Sequence, residues 1–175
     1  AAKSVTTGDG QTYTADAIIL ATGGRSRTLG VQGEDAFKGR GISYCATCDG
    51  DFFTGKEIVV VGGGNSALEE AVSLTKYATK VTIVHQFDHF QAFQYAVDEA
   101  KANPKINFVM SSTIASFYGK EKLEGVKIRN LITGEETDFK TDGVFIFIGY
   151  VPNTEWLNGH LQMNDRGEIA AGPDM

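Results

Sequence analysis

Residues 57–71, EIVVVGGGNSALEEA, restrict the fold more than any other stretch of this chain. Ile58 to Val61 form a continuous apolar run of β-branched residues, the pattern of a strand buried on both faces. Three glycines follow, and Asn65–Ser66 then offer N-cap chemistry for a helix. The apolar face of that helix is Ala67, Leu68, Ala71, Val72 and Leu74–Thr75. Gly62, Gly64 and Ala67 fit the spacing GxGxxA between a strand and a helix. Gly62 makes the tight turn, Gly64 lets backbone approach a pyrophosphate, and Ala67 allows helix and strand to pack closely. Gly63, Asn65 and Ser66 complete the loop, and N–H groups of the helix N-terminus meet the phosphates. A glycine-rich turn without a ligand is the plainer alternative. The strand before, the helix after and a second buried strand at KVTIVH favour a dinucleotide.

The order of elements extends this reading. QTYTADAIILATGG suggests a short edge strand, a turn and a buried strand, AIILA, and GGRSRTLG suggests a linker. CATCDGDFF has room for one helical turn. Phe90, Phe93, Val97 and Ala100 predict a second amphipathic helix, stopped by Asn103–Pro104. INFVM, TIASFY, LEGVKIRN and ETDFK then read as short strands, with TGEE as a hairpin turn. GVFIFIG returns as a buried strand on Gly149. The expected fold is α/β: a Rossmann-like NAD(P)-binding domain at 26–153, a parallel sheet with helices plus an antiparallel β-meander. Residues 1–25 and 154–175, with a short helix at TEWLNG and a fragmentary strand at GEIAA, read as edge pieces of a second domain.

Composition removes several function classes. In 175 residues, 22 acidic against 16 basic side chains give a net charge of −6, which disfavours nucleic acid or an anionic membrane as partner. No apolar run approaches the roughly 20 residues of a membrane span. The opening AAKSVTTGDG has no apolar leader core, so a cytoplasmic location is expected.

Two further stretches carry chemistry. The end of the second Rossmann strand ordinarily supplies an acid for a free ribose 2′-OH or arginines for a 2′-phosphate. VHQFDHFQ supplies His85, Gln86 and Gln91, which can hydrogen-bond but bring no fixed charge, and on physical grounds this favours NADH. Cys45 and Cys48 stand at CxxC spacing, where helical geometry brings the sulfurs within disulfide reach and can lower one thiol pKa. Asp49 is a candidate proton donor to a departing thiolate. His85 and His89 have the H-x3-H spacing of zinc sites, but a strand, a loop and a helix separate them from the cysteines, so no metal is expected. Cysteines with a purely structural role remain the other alternative, in a nucleotide-binding module without redox chemistry.

CATCDG, VGGGNSALEEA and FIFIGYVPNTEW together resemble the low-molecular-weight thioredoxin reductases, as do AIILATGGRSRTLG and GEDAFKGRGISYCATCDG. The resemblance spans essentially the whole chain. It implies a flavoprotein that passes electrons from NADPH through FAD to the CxxC and on to thioredoxin, working as a homodimer. By the same resemblance Cys48 faces the flavin, Cys45 attacks thioredoxin, Asp49 is the acid, and Glu69 sits near the nicotinamide end. The end strips then belong to an FAD-binding domain whose main motifs lie outside this chain, so the chain alone is expected to be inactive. Gly24–Arg27 and Pro152–Thr154 are expected as hinges. One departure stands out: at the positions of the family's HRR-x3-R signature this chain has His85, Gln86, Phe87 and Gln91. A related flavoprotein serving a peroxide-reducing system is the neighbouring alternative.

Overall fold

The computed structural model describes residues 3–157 and 159–172. Its contacts divide the chain into a larger unit, residues 26–150, and a smaller one formed by the residues on either side. In chain order the elements are β1 (Lys3–Thr6), β2 (Thr12–Ala15), β3 (Gly24–Ser26), α1 (Glu34–Phe37), β4 (Ile42–Ser43), α2 (Ala46–Asp49) and β5 (Glu57–Val61). There follow α3 (Asn65–Leu74), β6 (Lys80–Val84), α4 (Gln94–Ala102), β7 (Ile106–Val109), β8 (Ser112–Gly119), β9 (Leu123–Asn130), β10 (Glu136–Lys140), β11 (Gly143–Ile146) and β12 (Tyr150–Pro152).

The larger unit is built on a parallel sheet in the order β4-β11-β5-β6-β7, with a separate antiparallel meander β10-β9-β8. Alternation along β5 explains why Ile58 to Val61 are all apolar. Ile58 and Val60 point into a core with Leu68, Ala71 and Leu74 of α3 and Val97 of α4. Val59 and Val61 point the opposite way, into a core with Ile114 and Phe117 of β8 and Val126 and Ile128 of β9. Residues two apart share a face, so a strand covered on both sides has no position at which a polar side chain is favoured. The expected α/β fold, with its returning strand β11 between β4 and β5, is the one observed.

The second helix starts later than its periodicity suggests. Phe90 and Phe93 precede α4 rather than lying on it, and Phe93 is 65% exposed. The Gln91 N–H donates to Gly63 O at 2.8 Å, and the Phe93 N–H donates to Asn65 Oδ1 at 2.7 Å. These two bonds draw the segment after β6 back across the glycine loop, and the helix begins only after this wrap. Asn65 therefore does not cap α3. The N-cap is Gly64, with no side-chain cap bond, and the Asn65 carboxamide is spent on the neighbouring segment.

In the smaller unit β1 and β2 form an antiparallel hairpin. The expected buried strand AIILA is not observed: residues 17–21 belong to no strand or helix, and Ile19 is 92% exposed. A buried strand requires paired neighbours and covered faces, and the described residues of this unit provide no parallel sheet to receive it. TEWLNG contains one 3-10 turn at Glu155–Leu157, and position 158 lies outside the described residues. GEIAA contributes only a bridge between Met163 and Ile169.

Leu68 is fully buried between α3 and the sheet. Leu68→Ala should lower unfolding stability by about 2–5 kcal/mol in urea titrations of the chain, through lost transfer energy and the cavity left behind.

Candidate functional site

Between β5 and β11 the sheet order reverses: β6 and β7 follow on one side, β11 and β4 lie on the other. Open α/β sheets bind ligands in the crevice outside the carboxyl ends of strands at such a switch point. A cleft of about 540 Å³ lies there, and Gly62–Ala67, His85, Gln86, Gln91 and Gly149 all line it. Glu69 does not. It is exposed on α3, where it accepts a hydrogen bond from the Tyr95 hydroxyl of α4.

The three loop glycines have different reasons to be glycine. Gly62 has φ 137°, and a Cβ there would lie 2.3 Å from Phe147 O and 2.9 Å from Ala67 Cβ. A Cβ on Gly63 would lie 2.4 Å from the His85 ring. At Gly64 a Cβ would meet nothing within 4 Å. Its neighbourhood is open, as backbone approached by a ligand requires. Behind it, the first turn of the ten-residue α3 has no side-chain cap, so its N–H groups suit a pyrophosphate. These residues fit the dinucleotide that the motif implies.

His85 has a role its sequence position does not disclose. Its ring is 4% exposed, stacks on Phe90 at 5.7 Å between centroids, and places Nε2 3.1 Å from His89 O. A carbonyl only accepts, so Nε2 carries the proton. Burial pushes the His85 pKa below its ordinary value, which keeps the ring neutral at pH 7. His85 is thus the wall that supports Gly63, while Gln86 and Gln91 are exposed at the rim. Arg27, within the stretch whose composition suggests a linker, also lines the cleft. Its backbone N–H donates to Gly149 O at 2.9 Å. The positive φ of Gly149, 102°, marks the turn leaving β11.

Cys45 and Cys48 are joined as a disulfide, with Cα atoms 5.3 Å apart. Cys45 is half-buried at the N-cap of α2, and its Sγ accepts the Cys48 N–H at 3.2 Å; Cys48 is exposed. Asp49 is held by a residue that sequence reasoning missed. Ser43, buried at the end of β4, donates its hydroxyl to Asp49 Oδ2 at 2.6 Å and accepts the Cys45 N–H on the same oxygen at 3.0 Å. One hydroxyl therefore orients both the carboxyl group and the first cysteine. The available signal was a serine two residues before the CxxC, at the end of an element too short to read as a strand. The zinc alternative gains no geometry: His89 Nδ1 bonds Asp88 at 2.7 Å, and the described residues contain no cluster of His, Cys, Asp and Glu able to hold a metal.

Glu34 was also missed. It is 3% exposed and accepts the Leu29 N–H at 3.0 Å, the Gly30 N–H at 2.7 Å and the Tyr44 hydroxyl at 2.7 Å. Burial, followed by the Glu34 hydrogen bond, holds the Tyr44 phenol above its ordinary pKa. Glu34 joins the cleft wall at Leu29 to the residue preceding Cys45.

Gly62→Ala should destabilise the fold by about 1–3 kcal/mol, because its Cβ meets backbone. Gly64→Ala should stay within about 0.5 kcal/mol of the parent yet weaken dinucleotide binding; calorimetric titration and thermal melting separate the two effects. For His85 the folded pKa lies below the unfolded one, so the unfolded state binds more protons as pH falls past the ordinary histidine range. The contribution is present above about pH 6.5 and is lost on acidification. Melting temperature should therefore fall below that pH, with a smaller fall in His85→Phe.

Comparison with known proteins agrees with this arrangement. The family described as pyridine nucleotide-disulphide oxidoreductase matches residues 1–175. A thioredoxin reductase of Mycolicibacterium smegmatis is 46% identical over 167 residues, covering 95% of this chain and 53% of that protein. A bifunctional thioredoxin reductase/thioredoxin of Mycobacterium leprae is 44% identical over 167 residues, covering 95% of this chain and 36% of that protein. The crystal structure of Lactococcus lactis thioredoxin reductase matches with a TM-score of 0.93 at 37% identity, covering 99% of this chain and 57% of that one. The chain spans about half the length of most of these relatives. With the glycine-loop cleft and the CxxC disulfide in one unit, the chain belongs to the pyridine nucleotide-disulphide oxidoreductase family.

Proposed function

We propose that this chain is the nucleotide- and disulfide-bearing part of a thioredoxin-reductase-like flavoprotein that moves electrons from a nicotinamide dinucleotide to a redoxin. The observation that carries the reading is the combination, in one compact unit, of a Cys45–Cys48 disulfide and an uncapped glycine-loop cleft. In this reading residues 26–153 hold the dinucleotide and the cysteines, and residues 1–25 and 154–175 belong to an FAD-binding domain of the longer protein. FAD, bound by the longer protein, would take a hydride from the nicotinamide and supply two electrons to the disulfide. Among the described residues the smaller unit has no strand, glycine loop and helix in sequence. The chain spans about half the length of its relatives, and the residues that hold the flavin are assigned to the longer protein.

The residues of this chain have definite parts in that proposal. The glycine loop and the first turn of α3 bind and orient the dinucleotide phosphates. In the disulfide form the Cys48 N–H donates to Cys45 Sγ, which holds that sulfur at the start of α2. Cys45 is the nucleophile: its thiolate attacks a disulfide of the partner, forming a mixed disulfide and releasing one partner thiolate. Cys48 then displaces the partner from Cys45, regenerating the Cys45–Cys48 disulfide and leaving the partner as a dithiol. Asp49, positioned by Ser43, acts as the acid that gives a proton to the partner thiolate as it departs. Names of relatives such as the Mycobacterium leprae protein support thioredoxin as the partner class. Among the described residues no helix is long and apolar enough to cross a membrane.

Thiol trapping tests the reading. Reduced chain carrying Cys48→Ser, mixed with oxidised thioredoxin, should accumulate a mixed disulfide through Cys45, whereas Cys45→Ser should not. Trapping through Cys48 alone, or no trapping by either variant, would overturn the assignment. Disulfide reduction driven by a nicotinamide nucleotide in the flavin-free chain would overturn the role given to FAD.

A further inference from the structure

We propose that the cleft selects a dinucleotide with a free ribose 2′-hydroxyl, NADH rather than NADPH, because the end of the cleft at β6 offers only neutral groups. This rests on the reading of the cleft as a nicotinamide dinucleotide site. The adenosine ribose of such a ligand lies at the end of the second strand of a Rossmann unit, here β6. A 2′-phosphate there brings a dianion that needs guanidinium or ammonium partners, and its desolvation is costly when none is present.

The lining of that end consists of His85, Gln86, Gln91, Ser112 and Thr113. His85 is buried and its Nε2 proton is committed to His89 O. Burial also keeps the ring neutral. The Gln91 backbone N–H is committed to Gly63 O, and the Ser112 hydroxyl donates to Met110 O at 2.9 Å. Gln86 and Gln91 can still present side-chain amides, which suit a ribose hydroxyl that both donates and accepts.

Cations are directed elsewhere. Among the described residues lining the cleft Arg27 is the one arginine or lysine. It stands beside Gly149, past the end of β11, with its Nε 3.4 Å from Tyr150 O. β5 lies between β11 and β6, which puts the two strand ends about 10 Å apart at ordinary sheet spacing. Arg129 is paired with Thr113 across the meander, yet its Nε donates to Glu136 Oε1 at 2.8 Å. The segment between His85 and Gln91 brings no lysine or arginine, and its one carboxylate, Asp88, is exposed and engaged by His89 Nδ1. The β6 end of the cleft thus offers a 2′-phosphate no cation and leaves a 2′-hydroxyl well served.

Calorimetric titration of the full chain with NADH and, separately, NADPH tests this. NADH should bind at least tenfold more tightly. In Gln86→Arg combined with Gln91→Arg, checked for folding by thermal melting, the preference should move at least tenfold toward NADPH. Equal or tighter binding of NADPH by the parent chain would overturn the selectivity while leaving the dinucleotide site in place. Binding of neither nucleotide would overturn the dinucleotide reading itself, and the selectivity with it.

Discussion

The close approach of Gly62 to Phe147 is the contact on which the rest of the structure depends. At this point β5 ends, the Gly62 N–H donates to Val84 O of β6 at 3.1 Å, and the Phe147 N–H donates to Val61 O at 2.8 Å. Three strands of the sheet are therefore joined at one backbone position with no room for a side chain. The direction of α3, the placement of its N-terminus and the depth of the cleft all follow from that junction. The Ala67 methyl closes the other side of the same contact. This packing explains why the spacing GxGxxA works as a unit rather than as three independent small residues.

Around that junction the chain is tied by polar bonds between segments distant in sequence. Asn65 and Gly63 hold the segment after β6 over the loop, and His85 fills the space beneath it. Glu34 and Ser43 do similar work near the cysteines. A buried carboxyl group with three donors, or a buried hydroxyl with one donor and one acceptor, fixes the geometry of its partners because each alternative leaves a polar atom unpaired out of water. The cleft wall and the residues preceding the CxxC meet at Glu34, so the two chemical centres share a rigid support. The charge arrangement is equally specific: a helix N-terminus and Arg27 at one part of the cleft, neutral amides at the other.

Much of this was legible from sequence because it depends on near neighbours. EIVVV, KVTIVH and GVFIFIG read as buried strands, since an apolar run of that length has few other uses. The loop after β5 was readable because its glycines and alanine lie within six positions. AIILA shows the limit of such reasoning. Its pattern matches those strands, yet Ile19 is exposed, because burial is a property of what a segment pairs with and not of its composition. Phe93 shows the same limit on a helix: the periodicity was present, but two hydrogen bonds to the glycine loop delayed the helix past it.

By itself the sequence determined the α/β order, the glycine loop, the redox-capable cysteine pair and the missing arginines after β6. Each of these is encoded by residue type at short spacing, where chain connectivity alone sets the geometry. Only the tertiary structure decided that His85 is a wall, that Asn65 ties rather than caps, that Arg27 enters the cleft and that Ser43 orients Asp49. Those roles arise from contacts between segments brought together by sheet packing. The energy of such a contact depends on burial and on the direction of a few hydrogen bonds, neither of which any stretch of residues carries alone.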